Sequence, residues 1–187
     1  MSEEKTSSLI ASLMKKKYKD SYFQGTAPRL QRVRSGLVGL DRLIGGGLPV
    51  GRVIEIFSEP SGGKTTSCLF VIKEYLAQGY DVGYLDLERT VDEEWLETMG
   101  GSGPNFHYFR PDDGTTAIEM IVDLTSSGAK LVVVDSVPFL ATDKAYESNA
   151  DEHVMAPVAT LLSKCQLKII STLEKYGAIA LFINQTR

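Results

Sequence analysis

Most of the chain alternates between short apolar runs and longer stretches in which apolar residues recur at helical spacing. Strands are predicted at Val53–Phe57, Val82–Leu87, Phe106–Phe109, Leu131–Val134 and Ala178–Ile183. Helices are predicted between them, at about residues 65–78, 92–99, 115–126 and 154–176. Regular alternation of strands and helices is typical of an α/β fold with a parallel sheet.

Two of these strands, Leu131–Val134 and Ala178–Ile183, are apolar at every position instead of alternating with polar residues. Such runs indicate central parallel strands that are covered on both faces. We therefore expect an open, mostly parallel sheet with helices on both sides. Ligands bind such sheets beyond the carboxyl ends of the strands, so site residues are expected there.

The N-terminal segment has a different pattern. Residues 2–18 are predicted to form a short amphipathic helix whose apolar stripe is Leu9, Ile10, Leu13 and Met14. A polar, turn-rich connector follows, at Lys19–Arg34. We expect an N-terminal part, residues 1–34, and a globular part, residues 35–187. The apolar stripe could pack on that globular part or dock on a neighbouring molecule.

Composition narrows the class of protein. With 187 residues, of which 43% are hydrophobic and 24% charged, the chain fits one soluble domain. We expect no membrane partner, because no apolar run approaches the ~20 residues of a spanning helix and the polar N-terminus is unlike a secretory signal. Cys68 and Cys165 are expected to be reduced thiols of a cytoplasmic protein. A net charge of −4 argues against a uniformly basic nucleic-acid surface, although basic residues cluster between Lys15 and Arg34.

The strongest chemical signal is the glycine-rich stretch Ser58–Thr66, which lies between a predicted strand and a predicted helix. In that context, Gly-Gly-Lys-Thr indicates a loop that binds nucleotide phosphates; a plain turn with a surface lysine is the alternative. Backbone N–H groups from Gly62 onward can point into one cavity at the helix N-terminus. Lys64 supplies a cation for the β- and γ-phosphates, and the Thr65 hydroxyl is a ligand for Mg²⁺.

One position departs from the usual spacing of this loop, which has glycine where the chain has Ser58. Glycine adopts positive φ without steric cost, whereas serine does not. We therefore expect either a conformational cost at Ser58 or a small shift of the loop.

Polar residues at predicted strand ends add candidate chemistry. Asp135 follows a fully apolar strand, as does the acid that orders Mg²⁺ and its waters in ATPases with this loop. Glu88 could polarise the water that attacks a γ-phosphate, and Asp86, two residues earlier on the same face, competes for that role. Gln185 carries an amide that could reach the γ-phosphate. Each of these residues could instead be a solvated strand end.

Two further segments are candidates for binding. Trp95 is the only tryptophan and lies on an acidic helix start. A tryptophan usually fills a core, but an exposed indole here could stack on an adenine. The polar segment Lys144–His153 is expected to form an exposed loop at the ligand end of the sheet, with Met155 beyond it in the core.

Together these motifs resemble the RecA family of homologous-recombination ATPases, in its bacterial and phage form. Order and spacing agree over about residues 33–187, and the matching stretches are Gly46–Ile56, Ser61–Thr66, Leu85–Glu88 with Asp92, Val133–Val137 and Phe182–Arg187. The resemblance implies a phosphate-loop NTPase fold of the RecA type and a DNA-dependent ATPase that uses ATP and Mg²⁺. It also implies filaments on single-stranded DNA that pair homologous DNA and exchange strands, with ATP hydrolysed at subunit interfaces. Subunit docking would fall to the N-terminal helix.

Carried over by position, the resemblance also assigns roles to single residues. Glu88 would be the catalytic carboxylate, assisted by Lys64 and by Gln185 as the γ-phosphate sensor. The nucleotide-binding set would be Ser61, Gly62, Gly63, Lys64, Thr65, Thr66, Asp92, Trp95, Asp135 and Ser136. Within that set, Asp92 and Trp95 would hold the adenine, while Thr65 would bind Mg²⁺ directly and Asp135 through water. The segment Lys144–His153 resembles the first DNA-binding loop, and its candidate contacts are Asn149, His153 and Met155.

The family's second DNA-binding loop would begin after Arg187, so we expect that loop, the last strands and the C-terminal domain to lie outside these 187 residues. This form is therefore expected to hydrolyse ATP weakly or not at all. Two alternatives stay open. The chain could bind nucleotide and regulate or cap recombinase filaments, or it could be another RecA-fold motor of the helicase or clock type. The sequences at Gly47–Arg52 and Asn184–Arg187 favour a recombinase over such motors.

Overall fold

The computed structural model describes residues 3–25, 27, 29–140 and 155–186. Its contacts divide the chain into two compact units, residues 1–31 and residues 32–187. The segment Lys144–His153, with the candidate DNA contacts Asn149 and His153, lies outside the described residues.

The first unit contains the predicted N-terminal helix, α1, at Glu3–Tyr18. Its apolar stripe is half exposed, at 51% for Leu9, 52% for Ile10 and 53% for Leu13. Its last turn is basic, with Lys15, Lys16 and Lys17. A short 3₁₀ turn follows at Lys19–Ser21.

The second unit is built on a five-stranded sheet. Its strands are β3 (Arg52–Ser58), β4 (Val82–Asp86), β5 (Phe106–Phe109), β6 (Leu131–Asp135) and β7 (Ile179–Gln185), in the order β3-β7-β6-β4-β5. Every neighbouring pair is parallel, which confirms the predicted sheet. A separate antiparallel ribbon joins β1 (Arg32–Val33) to β2 (Leu48–Pro49).

Helices cover both faces of this sheet. They are α2 (Val38–Leu43), α3 (Lys64–Ala77), α4 (Glu93–Thr98), α5 (Gly114–Ser127) and α6 (Met155–Tyr176), with a 3₁₀ turn at Val137–Phe139. One buried cluster takes Ile121 from α5 and Leu173 from α6, while the opposite cluster takes Leu69 and Ile72 from α3. These two clusters are the hydrophobic cores of the unit.

Strand β6 shows why the apolar runs lack alternation. Val132 and Val134 pack in the cluster with α5 and α6, whereas Leu131 and Val133 pack in the cluster with α3. All four are fully buried. Each such side chain contributes about 1.5–3 kcal/mol of burial free energy, so both faces select apolar residues.

The structure also differs from the predictions in detail. Strand β4 ends at Asp86, one residue early, because the N–H groups of Leu87 and Glu88 both donate to the Asp135 carbonyl, at 2.7 and 3.2 Å. Helix α2 and the β1–β2 ribbon were not predicted; β1 falls within the expected connector and depends on a partner 15 residues away, as in the pair Val33–Leu48. Among the described helices, none is both long and apolar enough to cross a membrane.

Candidate nucleotide-binding site

The carboxyl ends of four strands bring the candidate residues to one edge of the sheet. Strand β3 ends at Ser58 and β7 at Gln185, and these two residues are register partners. Strand β6 ends at Asp135, which is the register partner of Asp86 at the end of β4. Positions far apart in sequence thus lie on adjacent strands, where α/β sheets bind ligands.

The glycine-rich loop begins directly after β3 and ends at α3. Ser58 remains part of the strand, and the left-handed conformations fall instead on Ser61 (φ +60°) and Gly63 (φ +77°). The expected cost of positive φ at Ser58 is therefore wrong, because pairing with Gln185 keeps Ser58 extended. The non-glycine residue that carries a strained backbone in this loop is Ser61.

Lys64 points into the loop and is 8% exposed. Its Nζ donates to the carbonyls of Glu59 at 2.9 Å and Ser58 at 3.2 Å, and to the Ser58 hydroxyl at 3.3 Å. An ammonium group is costly to bury unless acceptors surround it, and these three oxygens supply that compensation. Lys64 is thus held where phosphate oxygens could replace the loop oxygens.

The N-terminus of α3 offers donors to an anion. Its N-cap is Gly63, which has no side chain to accept a bond from the first turn. The N–H groups of Lys64, Thr65 and Thr66 belong to that first turn and have no acceptor within the helix. Together with the Lys64 ammonium, they form a donor set that fits the oxygens of a triphosphate.

Thr65 and Asp135 meet at the same edge. The Thr65 hydroxyl donates to Asp135 Oδ2 at 3.1 Å, and the Tyr84 hydroxyl donates to the same oxygen at 2.7 Å. Burial of Asp135, 2% exposed, raises the pKa of its carboxyl, while the hydrogen bonds from Tyr84 and Thr65 act in the opposite direction. Nearby Glu88 and Asp86 raise that pKa further, so a cation would be favourable here.

These oxygens fit Mg²⁺ bound together with phosphate. Magnesium prefers oxygen ligands and, in such sites, takes only one or two carboxylates besides phosphates and water. In the part of the chain that the structure describes, no group of three or more His, Cys, Asp and Glu side chains is arranged as a dedicated metal centre. The hydroxyl of Thr65 and the carboxylate of Asp135 therefore suit Mg²⁺ that is bound together with the phosphates of a nucleotide.

The two carboxylates that compete for the catalytic role have different surroundings. Asp86 is fully buried and accepts from the Arg89 N–H at 2.7 Å and from the Tyr108 hydroxyl at 2.5 Å. Glu88 is half-buried, and its Oε2 accepts from the buried Ser136 hydroxyl at 3.3 Å. The Asp86 carboxylate is thus occupied by two hydrogen-bond donors of the protein. Glu88 lies at the rim of the site and accepts only a longer, weaker hydrogen bond among the described contacts.

Asp92 and Trp95 lie at the start of α4. Asp92 is the N-cap, and its Oδ1 accepts from the Trp95 N–H at 2.9 Å. The Trp95 side chain is 45% exposed, so it does not fill a core. The order of the sheet puts β7 and β6 between the loop strand β3 and β4, which precedes α4. Thus Asp92 and Trp95 lie to one side of the phosphate loop.

Gln185 lies beside the beginning of the loop. It is half-buried, and the next residue, Thr186, donates its N–H to the Ser58 carbonyl at 3.1 Å. The side chain of Met155, the remaining DNA-binding candidate, is not among the described parts of the structure, although its backbone begins α6. The structure therefore brings Lys64, Thr65, Asp135 and Gln185 to one edge of the sheet, places Asp92 and Trp95 to one side of them, and leaves the DNA-binding candidates as predictions.

Two tyrosines that donate to the buried carboxylates were not predicted from the sequence. Tyr84 donates to Asp135, while Tyr108 donates to Asp86 and accepts from Arg110 at 3.1 Å. The two-residue alternation could have placed Tyr84 on the face of Asp86. Its contact with Asp135 depends on β4 lying next to β6, which the local pattern does not reveal.

Known proteins are similar in sequence to this chain over most of its length. Protein RecA of Gloeothece citriformis (strain PCC 7424) is 37% identical over 160 residues, which cover 85% of this chain and 45% of that protein. Protein RecA of Malacoplasma penetrans (strain HF-2) is 35% identical over 191 aligned residues, which cover 100% of this chain and 58% of that protein. The chain thus spans about half the length of the curated relatives that it matches. Since residues 10–187 also match the family model of the RecA N-terminal domain, this chain belongs to the RecA family.

Proposed function

We propose that this chain is the ATP-binding core of a recombinase that forms filaments on single-stranded DNA and pairs homologous DNA, with ATP hydrolysed between subunits. The observation that carries the proposal is the convergence of Lys64, Thr65 and Asp135 at the uncapped N-terminus of α3. Membership of the RecA family supports the same reading. Because the chain spans about half the length of its relatives, strand exchange is proposed for a longer or assembled form.

In this proposal, each residue at the loop has a defined task. The N–H groups at the start of α3 bind phosphate oxygens, and Lys64 exchanges its loop carbonyls for the β- and γ-phosphates. Thr65 would hold Mg²⁺ directly and Asp135 through a water molecule. When bound, Mg²⁺ supplies neutralisation of the negative charge that the phosphates carry.

The residues around this centre would complete hydrolysis and recognition. Glu88 orients and polarises the attacking water, because its half-exposed carboxylate is held only by the Ser136 hydroxyl among the described contacts. Gln185, adjacent to Ser58, reaches the γ-phosphate. Asp92 and Trp95 receive the adenine, with the exposed indole as a stacking surface.

The proposed partners are single-stranded DNA and further copies of the chain. Helix α1 supports self-association, because Leu9, Ile10 and Leu13 expose half of their apolar surface beside a basic last turn. DNA binding by these 187 residues is expected to be weak and steeply salt-dependent, because the net charge of −4 limits the number of phosphates neutralised.

Nucleotide binding is tested by removing the ammonium group of Lys64. Lys64→Ala should abolish calorimetric binding of a non-hydrolysable ATP analogue in the presence of Mg²⁺, while circular dichroism shows a folded protein. Lys73→Ala is the matched control, because it removes an exposed lysine from the same helix. Equal affinities of the two variants would contradict the proposal.

A regulatory function is the second candidate, and the half-exposed apolar stripe of α1, which could dock on the subunits of another filament, favours it. Fluorescence anisotropy with a labelled oligonucleotide, across a salt series, separates the two. Weak, salt-sensitive binding that tightens strongly when the family's following residues are appended would support a recombinase core. A chain that binds nucleotide and full-length recombinase, but not DNA at either length, would support regulation or capping.

A further inference from the structure

The Tyr84 hydroxyl is buried directly behind the proposed metal site. It donates to Asp135 Oδ2 at 2.7 Å, the same oxygen that accepts from Thr65 at 3.1 Å. Tyr84 is fully buried, and its ring stacks on Tyr108 with centroids 5.8 Å apart and planes 8° from parallel. The hydroxyl is therefore held in place by burial of the ring, by its stacking on Tyr108 and by the strand that carries it.

We propose that Tyr84 is a positioning residue, which orients the Asp135 carboxylate for Mg²⁺ and so favours binding of the metal–nucleotide complex over free nucleotide. The inference rests on the proposed nucleotide-binding function. Two hydroxyls on one carboxylate oxygen restrict rotation of the carboxylate, which would otherwise be free to turn. Pre-oriented ligands bind a cation with less loss of conformational freedom.

Tyr84 also gives Asp135 a hydrogen-bond donor that does not belong to the phosphate loop, unlike Thr65. Asp135 is 2% exposed, so its negative charge needs donors from the protein. The Thr65 hydroxyl can direct a lone pair to a cation and still donate to Asp135, but it belongs to the phosphate loop that the nucleotide contacts. Tyr84 lies on the neighbouring strand and donates to Asp135 independently of the loop, so it keeps the carboxylate in place with and without bound nucleotide.

The chain contains a matched control for this hydroxyl. Tyr108 stacks on Tyr84 and likewise donates to a buried strand-end carboxylate, that of Asp86, at 2.5 Å. Tyr84→Phe and Tyr108→Phe remove the same atom from adjacent strands and leave both rings in place. They differ in the carboxylate that loses its donor, and only Asp135 also contacts the loop residue Thr65.

The experiment measures affinity for the imidodiphosphate analogue of ATP by calorimetry, once with excess Mg²⁺ and once with EDTA. We expect Tyr84→Phe to weaken binding about tenfold with Mg²⁺ and by less than about twofold with EDTA, since a hydrogen bond to a charged group is lost. Tyr108→Phe should keep the Mg²⁺-to-EDTA affinity ratio of the unaltered chain. Thermal unfolding of both variants verifies that they are folded.

Each result has a distinct meaning. An unchanged affinity ratio in folded Tyr84→Phe, or an equal fall of the ratio in both variants, overturns the positioning role and leaves the nucleotide site intact. No binding by the unaltered chain, with or without Mg²⁺, overturns the proposed function and this inference with it.

A second measurement covers the case in which Tyr84→Phe does not fold. The unaltered sequence is labelled with 3-fluorotyrosine at position 84 or, separately, at position 108. Addition of Mg²⁺ to the nucleotide-bound protein should shift the ¹⁹F resonance of position 84 more than that of position 108. Equal shifts, or no shift at position 84, would refute the role.

Discussion

Replacement of Gly62 by alanine should damage the phosphate loop because of the serine at position 58. A Cβ atom on Gly62 would lie 2.2 Å from Ser58 Oγ, 3.0 Å from Ser58 Cβ and 3.1 Å from the Glu59 carbonyl oxygen. Glycine at position 62 is thus required by the side chain of Ser58. Positive φ is not the reason, since Gly62 does not adopt it.

The magnitude follows from these contacts. Rotation of the Ser58 hydroxyl would relieve the 2.2 Å contact, but it would break the bonds of this hydroxyl to the Glu59 carbonyl at 2.9 Å and to Lys64 Nζ at 3.3 Å. Such bonds contribute about 0.5–1.5 kcal/mol each, and overpacking against the remaining atoms costs about 1–3 kcal/mol. A stiffer unfolded chain offsets about 0.4–1 kcal/mol of this loss. Gly62→Ala should therefore lower the free energy of unfolding by about 3 kcal/mol.

A double-mutant cycle isolates the contact between the two residues. Ser58→Gly removes both close atoms of Ser58, so Gly62→Ala should cost less than about 1 kcal/mol in that background. Urea unfolding of the four proteins, followed by circular dichroism, measures the free energies of unfolding. If the two substitutions are additive within about 0.3–0.5 kcal/mol, steric conflict with Ser58 is not the reason for glycine at position 62.

Three further predictions follow from the site and its supports. Hydrogen bonds from Thr116 lower the pKa of Asp113, the N-cap of α5, so its stabilisation is present above pH 4 and lost as pH falls further. Urea unfolding should show Asp113→Ala about 1 kcal/mol less stable at pH 7, with a smaller difference at pH 3, whereas Asp113→Asn keeps most of the cap. In a form that hydrolyses ATP, Glu88→Gln should retain nucleotide binding and lower turnover about 10²–10⁴-fold; unchanged turnover would make Asp86 the candidate. Deletion of residues 1–31 should abolish self-association in sedimentation velocity, and identical profiles would mean that α1 does not dock between copies.

Local sequence was sufficient for the elements whose pattern reflects their immediate surroundings. Strand β6 is apolar throughout because both of its faces are buried. The uninterrupted apolar run Leu131–Val134 was therefore enough to predict this burial. The phosphate loop could likewise be predicted, because Gly63 and Lys64 belong to a short motif between a strand and a helix. The same holds for the apolar stripe of α1, which helical periodicity alone defines, whereas its half exposure is known only from the structure.

Tertiary structure decided which side chains meet. Ser58 stays extended because Gln185 pairs with it, Asp135 receives the Tyr84 hydroxyl because β4 lies next to β6, and Asp86 is occupied by Tyr108 from β5. These contacts join residues that are 22 to 127 positions apart in sequence. They cross strands whose order cannot be predicted from the apolar and polar pattern of any one strand. Periodicity reports the environment of one element, that is, which of its faces are buried. The partner of a polar group depends on which strand becomes its neighbour, and only packing of the whole sheet determines that neighbour.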